Sequence, residues 1–284
     1  MNTVSIAMCT YNGSAFLLEQ LNSLSAQTLK PNEIIISDDA SIDDSIAICK
    51  AFAEKSNINI KIFENKSNIG YIKNFEKAIS HCTQDIIFLC DQDDIWRSDK
   101  IDQIVKVFNS EPEVGLILHN FSKIDDYNRP MINNNETYGL KNLTSCQLAD
   151  EIMNNSINVF LEPYPRAWCG CMMAYRKSFN DLVLPVFPGK GHDDWILKIL
   201  APVTELRFTS EKLIDYRIHE NNTNRRDNKK HNLFYLLNRA VLKFSLAIKG
   251  HTKRNFYRQI ISRVKNSQRQ IIHPNLIDIY KKYG

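Results

Sequence analysis

The chain has 284 residues, 43% of them hydrophobic, with 36 Lys+Arg against 32 Asp+Glu and a formal net charge of +4. That length supports one large α/β core with an appendage, and no apolar run approaches the roughly 18 residues that a membrane-spanning helix needs. Seven cysteines, an odd number with no C-x-x-C pair, suggest neither a zinc site nor a disulfide framework, and fit reduced, buried thiols in a cytoplasmic protein.

The chain opens directly into a strand pattern over residues 4–10, without the basic and apolar regions of a signal peptide. Residues 16–26 predict a helix with Leu17, Leu21 and Leu24 on one face. A short apolar strand over 33–37 ends in Asp38-Asp39. A helix (43–54), a strand (58–63), a helix (71–82), a strand (85–90) and a helix (98–109) follow in alternation. Such alternation implies crossover connections and a mostly parallel sheet covered by helices. After a strand over 114–120 the rhythm changes, and 125–165 reads as a loop-bearing insertion rich in Asn, Asp and Pro. Residues 168–175 predict a strand, 195–200 a helix opened by Gly191-His192-Asp193-Asp194, and 213–218 a last strand before His219-Glu220-Asn221-Asn222.

Polar segments fall where strands end. Thr10-Tyr11-Asn12-Gly13, Asp38-Asp39-Ala40-Ser41 and Asp91-Gln92-Asp93-Asp94 each follow a strand. In open α/β sheets ligands bind beyond the carboxyl ends of the strands. Three carboxylates within four positions repel one another unless a cation is present, and hard divalent cations prefer carboxylate oxygens. Turn or capping roles are the structural rival for each of these aspartates. No G-x-G-x-x-G and no G-x-x-x-x-G-K-[ST] occurs, so a bound diphosphate would depend on a carboxylate-held metal rather than a glycine cradle.

The order of these pieces resembles the family 2 glycosyltransferases of GT-A fold. The resemblance rests on Ser5 to Gly13, Ile36 to Ser41, Asn68-Ile69-Gly70 with Lys73-Asn74, and Cys90 to Trp96. His192 to Trp195 and Tyr216 to Asn222 complete it. The D-Q-D-D-x-W wording is most similar to the rhamnosyltransferase-like branch that builds bacterial surface polysaccharides. It implies a Rossmann-like, mostly parallel sheet over residues 1–224, with a nucleotide-binding half (1–120) and an acceptor-binding half (121–224).

The resemblance also implies roles. Asp93 becomes a direct ligand of Mn²⁺ or Mg²⁺, with Asp91 on the ribose or on the metal through water, and Asp94 uncertain between the site and a helix cap. Thr10, Tyr11 and Asn12 lie around the base, and Asp38 and Asp39 recognise base and ribose. Lys73 stands where the family usually carries Arg, and would neutralise phosphate as a point charge. The family's Glu-Asp base pair reads His192-Asp193 here, which leaves Asp193 as the favoured base and Asp194 as its rival. His219 is a candidate metal or phosphate ligand.

From Arg225 onward there are 15 basic and 2 acidic residues, against 21 basic and 30 acidic before it. Apolar positions at helical spacing within 232–249 and 256–264 predict basic amphipathic helices, either lying on an anionic membrane or packing on the body or a second copy. The expectation is an inverting, metal-dependent enzyme that moves one sugar from a nucleotide-diphosphate donor to a lipid-linked oligosaccharide in O-antigen or capsule synthesis. Its donor would be dTDP-rhamnose first, then UDP-galactose or UDP-N-acetylhexosamine. A nucleotidyltransferase of similar fold, a non-catalytic protein binding through the basic tail and an inactive scaffold are the alternatives.

Overall fold

The computed structural model describes residues 2–131, 169–188, 191–220, 222 and 255–283. Strands β1 (Val4–Thr10), β2 (Glu33–Asp38), β3 (Asn59–Glu64) and β4 (Ile86–Cys90) alternate with helices α1 (Ser14–Ser25), α2 (Ser45–Lys55) and α3 (Tyr71–His81). A two-residue β5 (Ile95–Trp96), α4 (Lys100–Ser110) and the long β6 (Val114–Ile124) come next. Then follow β7 (Met173–Arg176), the one-turn α5 (Asn180–Val183), α6 (His192–Leu200) and β8 (Glu205–Arg217). Two more helices, α7 over 255–266 and α8 (Pro274–Tyr283), close the described chain.

The strands form one eight-stranded sheet in the order β3-β2-β1-β4-β7-β6-β8-β5. The β3-β2-β1-β4 half is parallel, β7 runs antiparallel between β4 and β6, and β6 pairs in parallel with β8. Every residue of β1, β2 and β4 is buried, because helices cover both faces. Alternation sorts their side chains. Ile6, Met8, Ile34, Ile36 and Phe88 pack with α1 and α4, while Ala7, Cys9, Ile35, Ile87 and Leu89 pack with α3 and α6.

Several predicted boundaries move, each for a local reason. Helix α2 begins at Ser45 rather than 43, since the Asp43 carboxylate accepts the Ser45 and Ser14 N–H groups from outside the helix. The predicted strand over 168–175 is in its described part a 3₁₀ turn (Gly170–Met172) followed by β7, and residue 168 lies outside the described residues. The last strand starts eight residues before the expected 213, at Glu205. Its first part pairs along β6 with bulges and carries only partial burial, so its alternation is faint in the sequence. Residues 125–131 form a turn closed by an Ile124–Pro130 bridge, and the rest of the expected insertion lies outside the described residues.

The basic tail divides. Residues 232–249 lie outside the described residues. The apolar positions of α7, Phe256, Tyr257, Ile260 and Val264, are buried against Trp195, Ile196 and Ile199 of α6 in the same core as β1 and β4. Arg263 stacks over the Trp195 ring at 4.9 Å and donates to the carbonyls of Leu182 and Pro185. This corrects the membrane expectation for 256–264: that face already covers the body and is not available to lipid.

Candidate active site

Strands β1, β2 and β4 end level with one another, with Thr10 beside Asp38 and Met8 beside Cys90. The chain leaves β4 as Asp91-Gln92-Asp93-Asp94. Asp91 and Asp93 are partly exposed, whereas Asp94 is fully buried. Burial, then the charges of Asp93 and Asp193, push the Asp91 carboxyl up to about 7. The three carboxylates therefore face a common space, although Asp193 is about a hundred residues away in sequence.

Asp93 and Asp94 are gripped from the end of β8. The Arg217 side chain is buried, and its Nε donates to the Asp93 carbonyl at 2.8 Å. Its Nη2 meets Glu19 of α1 at 2.6 Å, and its Nη1 donates to Asn128 Oδ1 and to the Asp125 carbonyl. The Arg217 N–H donates to Asp94 Oδ1 at 3.1 Å. Two residues on, His219 Nε2 lies 2.8 Å from Asp93 Oδ2. Asn222 holds this turn by accepting the His219 N–H and donating to the Arg217 carbonyl. Phe16 packs against both, 4.5 Å from the guanidinium and 4.9 Å from the imidazole.

Asp94 faces inward. The helix-cap alternative does not hold for it, since Asp99 occupies the residue before α4. Burial, then Asp93 and Asp91, push its carboxyl well above the usual range, and its Oδ2 has no hydrogen-bond partner among the described residues. Asp91, Asp94 and Cys171 place ligand atoms within 4.8 Å of one another. A cation is already there: Lys100, fully buried, donates to the Cys171 carbonyl at 2.8 Å and sits 3.6 Å over the Trp96 ring. Burial lowers this ammonium to about 8, while Asp94 and Asp91 pull it the other way. The inner cluster thus already holds a buried ammonium whose charge acts on Asp94 and Asp91. An added divalent ion would find oxygen and nitrogen donors in partly exposed Asp91 and Asp93 and in His219, whose Nε2 stands beside Asp93 Oδ2, although among the described residues only Asp91, Asp94 and Cys171 bring three ligand atoms together.

On the other side, α6 brings Asp193 and Asp194 in its first turn. Asp193 is nearly buried and accepts the Asp194 N–H on Oδ1 at 2.8 Å. Asp194 is ion-paired with buried Lys198, one helical turn along. His192, which replaces the expected Glu, stacks on Phe75 of α3 at 3.8 Å, and a side chain on Gly170 would collide with its ring.

The base-side residues gather at the β1–β2 edge. Thr10 is buried and donates to Asp38 Oδ2 at 2.7 Å, so it acts through Asp38. Asp38 also accepts the Ser41 N–H and hydroxyl. Asp39 is buried and accepts the Ile69 and Gly70 N–H groups at 2.8 and 2.9 Å and the Asn65 amide. Both aspartates therefore frame the edge as well as line it. Between them and α2, Ala40 takes a φ of 61°, a strained value for a residue with a Cβ. Asn12, at φ 47°, accepts the Ile42 N–H. Tyr11 keeps 44% of its surface exposed. Lys73 stands on the outer face of α3, held to Glu76 at 2.8 Å, and none of its described bonds reaches the acidic loop.

Sequence reasoning passed over Glu19, Lys100 and Asn128, whose spacing does not mark them, and quoted Gln92 within the acidic motif without giving it a role; each acts through a contact with a distant element.

The sequence matches the model of glycosyl transferase family 2 over residues 5–182, more than half of the chain. The chain belongs to that family. It is 30% identical over 223 residues to the uncharacterized glycosyltransferase alr2836 of Nostoc sp., covering 76% of this chain and 65% of that protein. It is 41% identical over 110 residues to the dTDP-rhamnosyl transferase RfbG of Shigella flexneri, covering 36% of this chain and 38% of that protein. The family 2 chain thus spans less than two thirds of the length of either relative. Its fold is that of S. aureus TarS 1-349 in complex with UDP-GlcNAc, with a TM-score of 0.64 at 16% identity, covering 100% of this chain and 72% of that one. It is also that of the mannosyltransferase PcManGT from Pyrobaculum calidifontis in complex with GDP-Man and Mn²⁺, with a TM-score of 0.60 at 16% identity, covering 99% and 82%. The expected GT-A-like fold is therefore present, and family membership displaces the nucleotidyltransferase alternative.

Proposed function

We propose that this family 2 member is an inverting glycosyltransferase that uses a nucleotide-diphosphate sugar and Mn²⁺ or Mg²⁺. One observation carries the proposal. Asp91, Asp93 and Asp193 lie near one another at the open end of the parallel sheet, where burial first, and then the charges of Asp93 and Asp193, push the Asp91 carboxyl up to about 7. Carboxylates clustered in this way at a strand end are what a divalent cation would neutralise. Asp93, Asp91 and His219 would hold the ion, which supplies Lewis-acid neutralisation of the leaving diphosphate when bound. Tyr11, Asn12 and the Asp38–Asp39 edge would take the nucleoside, whereas Lys73, held to Glu76 on the outer face of α3, would not reach the phosphates.

Asp193 is the general base in this scheme. The acceptor hydroxyl passes its proton to Asp193 as its oxygen bonds to the anomeric carbon. The bond from that carbon to the diphosphate breaks on the opposite face, releasing the nucleoside diphosphate. Asp194, tied to Lys198, holds the first turn of α6 rather than accepting the proton.

The first donor proposed is dTDP-rhamnose, in keeping with the similarity to RfbG, followed by UDP-galactose and UDP-N-acetylhexosamine. A lipid-linked oligosaccharide in O-antigen or capsule synthesis is the proposed acceptor, approached at the cytoplasmic face of the membrane. No helix among the described residues is long and apolar enough to cross a membrane. Attachment would therefore be peripheral, through the positive charge of 225–284 and the apolar positions of 232–249. A homodimer is compatible with the same tail.

The test is a thermal-shift and donor-hydrolysis panel of these nucleotide sugars, with and without Mn²⁺, on the wild type and Asp93→Ala. Metal-dependent stabilisation by one donor, lost in Asp93→Ala, is expected. Absence of any nucleotide effect in any metal would overturn the proposal.

A further inference from the structure

The residue between the two outer aspartates has its own task. Strands β1 and β4 pair as far as Met8 and Cys90, and their chains then part. Gln92 bridges the gap with its side chain. Its Oε1 accepts the Tyr11 N–H at 2.8 Å, and its Nε2 donates to the Tyr11 carbonyl at 3.1 Å. A primary amide thus stands in for one more backbone pair of the sheet. Its orientation is unambiguous, because reversing it would set donor against donor and acceptor against acceptor. Gly13 is shaped to admit it: a Cβ there would fall 2.2 Å from Oε1, 2.3 Å from Cδ and 2.8 Å from Nε2. Two independent features, a two-point hydrogen bond and a glycine that leaves room for it, specify the same contact.

We infer that Gln92 is a positioning residue that fixes Tyr11, on the nucleoside side, at a set distance from Asp91 and Asp93, on the diphosphate side. The inference rests on the proposed donor site. Within it, Gln92 matches the span of the site to a nucleoside diphosphate and holds the half-exposed Tyr11 ring ready for the base. It touches neither the acceptor nor the proton transferred to Asp193.

The test is calorimetric binding of dTDP and UDP, with and without Mn²⁺, to the wild type, Gln92→Met, Gln92→Ala, Gly13→Ala and the Gln92→Ala/Gly13→Ala double variant. Gln92→Met keeps the bulk and removes both hydrogen bonds. It is expected to bind the preferred nucleotide about tenfold more weakly, the order of two lost neutral hydrogen bonds that order a loop. The Mn²⁺ concentration giving half-maximal stabilisation should stay at the wild-type value, since the Asp93–His219 pair is held from β8. Gly13→Ala should weaken the wild type similarly and add nothing in the Gln92→Ala background, because the obstructing amide is gone. Equal nucleotide binding by wild type and Gln92→Met, or full additivity of Gly13→Ala and Gln92→Ala, would overturn the inference alone. A wild type that binds neither nucleotide would overturn the donor site and this inference with it.

Discussion

Replacing Arg217 by Met tests whether the buried guanidinium holds the outer aspartates in place. Met keeps much of the apolar stem against Phe16 but deletes every side-chain donor. Its partners differ in what they lose. Glu19 is 47% exposed and Asn128 is exposed, so both recover water, and that ion pair contributes only about 1 kcal/mol or less. The carbonyl of Asp93 loses its 2.8 Å donor inside the protein, which costs about 1–3 kcal/mol. The contact with Phe16 at 4.5 Å contributes about 0.5–2 kcal/mol. Relief from desolvating a buried charge offsets part of this. A net loss of about 2–3 kcal/mol follows, or a melting temperature lower by about 3–5 °C for a chain of this size. Differential scanning calorimetry supplies the measurement. With donor and Mn²⁺, activity well below the new melting point should fall at least about a hundredfold, because Asp93 and His219 lose their shared anchor. An unchanged or higher melting temperature together with wild-type Mn²⁺ dependence would show that Arg217 is only a tolerated buried charge.

The base assignment separates two neighbours. Asp193→Asn should lower kcat by about 10²–10⁴-fold with little change in donor binding, whereas Asp194→Asn should act mainly through stability, by releasing the buried Lys198 ammonium. The reverse pattern in steady-state kinetics would exchange their roles. Burial and the charges of Asp93 and Asp193 give Asp91 a folded value of about 7, above its unfolded value of about 4. The folded state then binds the extra proton more tightly, so this group's contribution to stability is present at low pH and is lost as pH rises through that window. Metal-free protein should therefore gain more in melting temperature from Mn²⁺ at about pH 7 than at about pH 5, and a gain independent of pH would contradict the assignment. Phe256→Ala should cost about 3–5 kcal/mol in urea denaturation, as for a buried core aromatic. A cost below about 1 kcal/mol would return α7 to the status of a detachable tail.

The alternating strands and helices of residues 1–120 were legible because local chemistry dictates them. Strands covered on both faces read as unbroken apolar runs, and α3 and α4 carry their apolar residues on one stripe. The acidic loop announced itself because charged residues next to such a run are costly without a compensating partner. The first part of β8 did not, being partly exposed and bulged. Helix α7 showed its amphipathic face but not what that face would meet, since lipid and protein are equally acceptable to Phe256 and Ile260.

What the sequence by itself determined is the list of chemical groups, their order, and the strand ends on which Thr10, Asp38 and Asp91 sit. Tertiary structure alone decided which groups meet: Asp193 against Asp91, His219 against Asp93, Arg217 against Glu19, Gln92 against Tyr11. Periodicity and turn chemistry act between residues a few positions apart, and so are written into the local sequence. Hydrogen bonds and charge repulsion act over a few ångströms of space whatever the separation along the chain, and only the folded sheet sets those distances.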